Sequence, residues 1–287
     1  VLRHGHSASS QTAAAFFVGL VFLCHPVQTE SVTYICQRYA SLSGLFYLAG
    51  LTFYAAYQLW RNKISAFLAV AAGAAGFFTK ENFFTFPFAV LLYDLCFFRV
   101  SSAKDLWVPK RKTWGVFFAL AVVAFFVSQA DSTILAYGQK LRYHLSRSDY
   151  LMTQFGVLVR YIALLFVPVQ QNFHWDILIQ RTFFSWAVIK PLLAVLAFLA
   201  LGCYFFIKRK SMVIVFAIFW FFLTLIVESS VFPLEDLMVE HRLYLTVFGY
   251  ALFLVFLIFK AVPSRRKYLY LCLCVVLLGF MAYQRNF

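Results

Sequence analysis

The sequence predicts an all-α fold: a polytopic integral membrane bundle of about nine transmembrane helices, with interfacial or re-entrant helices on one face. Three observations predict it. The chain of 287 residues is 63% hydrophobic and 13% charged, against roughly 25% charged for a soluble domain. Its mean hydropathy is +0.80, and a soluble protein of this length could not hide so much apolar surface. Apolar runs near the roughly 17–25 residues needed to cross a bilayer recur along the whole chain.

The expected spans are 10–24, 39–59, 64–79, 83–98, 114–130, 186–207, 211–228, 243–260 and 268–284. Between the first two lies His25-Pro26-Val27-Gln28-Thr29-Glu30-Ser31-Val32, leading to Arg38. Pro26 suits the first turn of a new helix, where a missing N–H costs nothing. Glu30 and Arg38, eight residues apart on a helix, are offset by about 80° and could reach one pocket. They read either as substrate-binding groups or as a structural ion pair. Between the third and fourth spans, Thr79-Lys80-Glu81-Asn82 is a tight polar turn, or a phosphate-binding lysine oriented by Glu81.

The run 149–168 is apolar enough to span, but Arg160 sits in its middle, where a lipid-facing cation is costly. It reads as a re-entrant or in-plane helix. Residues 139–150, with Lys140, Arg142, His144 and Arg147 among Tyr and Leu, read as an interfacial amphipathic helix or a solvated one. In 170–176, Trp175 suits an interface anchor, with His174 and Asp176 as a polar rim. Before the eighth span, Glu235, Asp236, Glu240, His241 and Arg242 put five ionisable groups within eight residues, with Glu228 upstream. Arg binds phosphate oxygens bidentately. Glu235 or Asp236 could position a hydroxyl or hold a divalent cation. A hard cation wants more oxygen ligands than this segment supplies, so no metal site is assigned. The same cluster also reads as a solvated interfacial charge network.

The loops sort by charge. Arg61 and Lys63; Arg99, Lys104 and Lys110–Lys112; Lys208–Lys210; and Lys260 with Arg265–Lys267 hold 14 of the 25 basic residues and one of the 11 acidic ones, Asp105. Cytoplasmic loops are enriched in Lys and Arg. The acid-bearing loops then face the opposite compartment. This bias accounts for most of the +14 net charge, and with no solvated basic domain, nucleic-acid binding is excluded. The six cysteines lie mostly inside apolar runs, and no spacing matches a zinc site. Cys24 and Cys36 could both approach the outer face. No signal peptide is visible, and the chain reads as a fragment.

Four of these elements together resemble a known family. His25-Pro26-Val27-Gln28-Thr29-Glu30-Ser31-Val32 with Arg38 is similar to an "HPxxTEAV…R" element, and Lys80-Glu81-Asn82 to a "KEN" turn. Tyr150 to Asn172 resembles a "YLLTQ…Y…LLLPxxQN" stretch. Pro233 to Tyr244 resembles "P…ED…EHRLYLP". The family is the membrane part of the O-mannosyltransferase-like proteins with tetratricopeptide repeats, of bacterial type, in the GT-C glycosyltransferase superfamily. The resemblance implies one domain over 1–287, in a bacterial inner membrane with its site facing the periplasm. It implies transfer of a sugar from a polyprenyl-phosphate donor to a protein or glycan hydroxyl among membrane lipids. The usual catalytic Asp would precede Val1 and the repeats would follow Phe287. A non-catalytic scaffold subunit of a larger membrane complex is the alternative. On this reading Glu30 and Asp236 are the candidate catalytic carboxylates. His25, Arg38, Lys80, Glu81, Glu235, Glu240, His241 and Arg242 are the candidate phosphate and substrate ligands.

Overall fold

The computed structural model describes residues 8–98, 145–173, 175–229, 233–234, 236–263 and 266–286. Among them the chain is helical, with no strand. Ten α-helices follow in order: α1 (Ala8–Cys24), α2 (Gln28–Thr33), α3 (Arg38–Trp60), α4 (Lys63–Phe77), α5 (Phe86–Phe97), α6 (Arg147–Phe166), α7 (Trp186–Ile207), α8 (Met212–Leu225), α9 (Thr246–Ala261) and α10 (Arg266–Arg285). Short 3-10 turns cover Ile35–Gln37, Glu81–Thr85 and Glu240–Leu243. The expected span 114–130 and the first half, 139–144, of the expected interfacial helix at 139–150 lie outside the described residues.

Among the described residues three helices, α6, α7 and α10, are long and apolar enough to cross a membrane. The apolar helices α1, α4, α8 and α9 have at most 17 residues, so they extend at most about 26 Å at 1.5 Å per residue, against a hydrocarbon core of about 30 Å. Helix length and composition together therefore give three candidate spans among the described residues, where the apolar runs predict nine. The outward faces are apolar even so. Leu193, Leu196, Leu201 and Ile207 on α7, and Leu269, Leu273, Val276 and Phe280 on α10, are all exposed.

Local signals set the boundaries. Arg61 stops α3 in the left-handed region at φ 53°, its N–H bonded to Tyr57 O. Arg209 adopts φ 51° just beyond α7. Both basic segments thus sit at helix C-termini, where cations complement the macrodipole. Asn62 caps α4 by accepting from the Ile64 N–H, and Ser146 caps α6 by accepting from the Asp149 N–H, each satisfying an orphan donor.

Cross-contacts fix which helix ends lie together. Lys267 at the start of α10 reaches Ser10 Oγ near the start of α1 at 3.4 Å, while Arg285 at the end of α10 donates to Pro26 O, just past α1, at 2.8 Å. Trp220 on α8 donates to Leu245 O ahead of α9 at 2.9 Å. Tyr47 on α3 meets Thr85 ahead of α5 at 2.9 Å. Following the chain through these anchors, Arg61, Lys63, Lys208–Lys210, Lys260, Arg266 and Lys267 gather at one end of the bundle. The loops carrying Glu30, Glu81, Glu228, Asp236 and Glu240 gather at the other.

The aromatic core below the acid-bearing end joins Tyr47, Phe83, Phe86, Phe216 and Trp220. Gly76 and Gly249 permit two close approaches there. A Cβ on Gly76 would stand 1.9 Å from the Phe83 ring, and one on Gly249 2.6 Å from Trp220.

Helix α6 does not run from one end of the bundle to the other, although its length and composition would allow it. Tyr150 donates to Glu228 O at 2.6 Å, Gln154 to Leu237 O at 2.9 Å and Tyr161 to Val239 O at 2.8 Å. Near its far end Leu165 O meets His25 Nε2 at 3.1 Å. All four partners belong to the acid-bearing end. The chain then returns alongside, and the Gln180 N–H donates to Thr153 Oγ1 at 2.9 Å. Helix α7 therefore starts from the end where α6 started. The helix is an unbroken strap over this end, and Arg160 on it is exposed.

Candidate functional site

The site is a buried polar cluster at the acid-bearing end, built from α2, the turn after α4, the segment after α8 and the turn Glu240–Leu243. Charged groups in such surroundings must be paired or hydrogen-bonded, and the pairing defines the site. Lys80, at the N-cap of the turn Glu81–Thr85, is ion-paired with Glu228 just past α8, and both side chains are buried. Burial is the largest single effect on Glu228 and opposes its charge. Lys80 and Arg242 together outweigh it and hold the carboxyl below the usual range.

Arg242 is 4% exposed. Its guanidinium donates to Asp236 O at 2.8 Å and to Glu228 O and Leu237 O at 3.4 Å. It closes the segment between α8 and the Glu240–Leu243 turn on itself, with Tyr150 sharing Glu228 O. Glu30 holds the next turn. Its Oε2 accepts from the N–H groups of Glu240 at 3.0 Å and His241 at 3.1 Å, and its Oε1 lies 2.7 Å from His241 Nδ1. A carboxylate only accepts, so Nδ1 carries the hydrogen.

Glu240 is fully buried and is the hub of a third group. Arg285 pairs with it at 2.8 Å. Gln171 Nε2, the Asn172 N–H and Trp175 Nε1 donate to it at 3.0, 2.9 and 3.2 Å. Burial pushes its carboxyl up, and Arg285 offsets this only in part.

His25 is 1% exposed. Its Nδ1 accepts from the Val27 N–H at 3.3 Å, which leaves Nε2 to donate to Leu165 O. Desolvation lowers its pKa to about 4, against the weaker pull of that backbone bond. His25 is thus a neutral strut between the α1–α2 corner and α6, with both nitrogens engaged.

Of the expected ligands, Lys80, Glu240, His241 and Arg242 are brought together and buried with Glu30. Arg38 and Glu81 are exposed at the rim, and Asp236 is half-buried. Glu235 lies outside the described residues. Beside the cluster opens a cleft of about 430 Å³ lined by Thr29, Glu30, Tyr34, Gln171, Phe173 and Arg285 among others. Among the described residues no group of three or more His, Cys, Asp or Glu side chains assembles for a metal ion. Cys24 and Cys36 are free.

Several participants escaped the sequence reading. Tyr150, Gln154 and Tyr161 were legible in principle, because their spacings of four and seven place them on one helical face. Arg285, alone near the end of a long apolar helix, carried no signal. No protein-family model, curated protein or solved structure matches this chain.

Proposed function

We propose that the chain is the membrane part of a glycosyltransferase that moves a sugar from a polyprenyl-phosphate donor to a protein or glycan hydroxyl. The bundle of about nine spans would sit in a bacterial inner membrane with the acid-bearing end facing the periplasm. One observation carries the reading: segments far apart in sequence deliver Lys80, Arg242, His241 and four carboxylates, Glu30, Glu228, Asp236 and Glu240, to one end of the bundle, opposite the basic loops. A lipid phosphate leaving group needs cations at headgroup depth, and an attacking hydroxyl needs a base.

The residues divide by role. Lys80 and Arg242 are committed to Glu228 and to backbone carbonyls, so they shape the site and set its positive field. Arg38, exposed at the start of α3, is the cation placed to meet a phosphate directly. Glu30 is committed to His241 and the turn N–H groups and positions them. Asp236, half-buried, is the carboxylate whose exposure lets it meet an acceptor hydroxyl.

A second reading, a non-catalytic scaffold of a larger complex, draws on the same network: Lys80, Arg242 and Glu240 already have partners within the chain. Transfer assays separate the two. With membranes holding the full chain and a labelled polyprenyl-phosphate sugar, Arg38→Ala should cut transfer at least about tenfold, as expected for loss of a charge-assisted contact, without lowering the melting temperature. Transfer absent from the wild type favours the scaffold. Transfer unchanged by Arg38→Ala removes Arg38 from the site.

A further inference from the structure

Helices α9 and α10 meet at the basic end of the bundle, and an open groove of about 550 Å³ lies between them. Ile258 and Ala261 line it from α9, and Arg266, Tyr270, Leu273 and Leu277 from α10. The α10 residues follow one another at intervals of four, three and four, so they form one stripe along the helix. The buried residues of α10, Lys267, Leu271 and Leu278, lie roughly 100° around the axis from that stripe. Lys267 thus turns inward, to Ser10 Oγ and over the Phe259 ring at 4.4 Å. Arg266 is exposed, and no hydrogen bond or ion pair engages its side chain among the described residues.

The stripe is ordered by depth. A cation stands at the mouth, an aromatic hydroxyl one turn in, and two leucines beyond, which is the order of groups across a membrane interface. From Arg266 to Leu277 is about 16 Å along the helix, against about 15 Å for one leaflet of a 30 Å hydrocarbon core. Tyr270, Leu273 and Leu277 are 48%, 55% and 58% exposed, so no other part of the described chain covers them. Any lipid tail could lie on such leucines, but the mouth selects by charge. No Asp or Glu follows Glu240 in the sequence, so neither α9 nor α10 carries an acid to neutralise Arg266. Basic pockets between membrane helices take anionic lipid headgroups.

We propose that the groove between α9 and α10 binds one anionic phospholipid, with its phosphate at Arg266 and an acyl chain along Leu273 and Leu277. The proposal needs α10 to cross the bilayer, and it is independent of the transferase reading.

The test uses the full chain in detergent, with dioleoyl phosphatidylglycerol or dioleoyl phosphatidylcholine added at equal concentration. The two lipids share their tails and differ in net charge. One cation near the headgroup should favour the anionic lipid about fivefold. Phosphatidylglycerol, at about ten times its dissociation constant, should raise the melting temperature by roughly 2–4 °C more than phosphatidylcholine does. Arg266→Gln removes the charge, and Leu273→Trp fills the groove without touching the charge. Both positions are exposed, so both variants should melt like the wild type without added lipid, and each should abolish the excess shift. Lys208→Gln, at an exposed lysine of the same end outside the groove, should keep it. Equal shifts for the two lipids in the wild type, or an excess that survives either groove variant, overturn the proposal. An excess that Lys208→Gln removes as fully belongs to the diffuse field of the basic end and overturns it too. A dimer that Leu273→Trp breaks, with no lipid preference, assigns the groove to a second copy of the chain.

Discussion

The chemistry of single residues here is set by which partner each buried charge finds. Glu30 accepts two backbone N–H groups and lies against His241 Nδ1, and hydrogen bonds to a charged group contribute about 1.5–3 kcal/mol each. Glu30→Gln should lower stability by roughly 2–4 kcal/mol, read by chemical denaturation in detergent. A loss within experimental error would show that the turn Glu240–Leu243 does not depend on it. His25 gives a pH signature. Its pKa is lowered from 6.5 to about 4, so its contribution is complete above pH 6.5 and disappears as pH falls through 4. A shift of that size corresponds to roughly 3 kcal/mol. Glu228, also lowered, adds a loss in the same direction, beginning as pH falls through the ordinary carboxylate range and continuing below it. Glu240, raised by burial, works with the opposite sign: its contribution is present at low pH and is lost as pH rises through its raised value. His25→Gln should flatten the decline between pH 6.5 and 4 in a series of melts. An unaltered slope would remove His25 as its source.

Among the elements, the turn Glu81–Thr85 depends on a glycine in the preceding helix. The ring of Phe83 occupies the place a side chain on Gly76 would take, and Phe83 is fully buried among Tyr47, Phe77 and Phe86. Gly76→Ala should therefore cost roughly 1–3 kcal/mol through overpacking, despite alanine's better helix propensity. It should also move the turn that carries Lys80 and Asn82. A melt equal to wild type would mean that the ring can step aside. The strap α6 makes a similar point. Its run is apolar enough to span, but the sequence reads as a re-entrant or in-plane helix, and its polar stripe of Tyr150, Gln154 and Tyr161 bonds carbonyls of the segment between α8 and α9. Replacing Tyr161 with Phe leaves the Val239 N–H and C=O, both bonded to its hydroxyl, without partners. It should destabilise by about 1–3 kcal/mol.

For the whole molecule, the separation of charge between the two ends is the feature on which the functional reading turns. Glu81 and Lys208 are both exposed and lie at opposite ends. In a background lacking the six native cysteines, Glu81→Cys should react with a membrane-impermeant thiol reagent added from outside the cell. Lys208→Cys should react only after the membrane is opened. The reverse pattern would place the cluster on the cytoplasmic side and end the proposal of an extracytoplasmic transferase.

Apolar runs near the bilayer scale and cationic loops opposite acidic ones determined the helical class and the two-ended charge distribution, because both follow from burial and charge counted along the chain. Two stretches named from sequence, around Glu30 and around Glu240–Arg242, do meet in one cluster. The sequence could not say which charge neutralises which. That Lys80 takes Glu228, that Glu30 takes His241, and that Arg285 crosses from the last helix to Glu240 depend on contacts between residues up to 211 positions apart. Nor could it name what anchors α6: Arg160 argued against a simple span, but hydropathy measures how apolar a helix is and not where its few polar groups find partners. Tertiary structure decided both for one physical reason: a buried polar group must be satisfied wherever the fold happens to bring a partner.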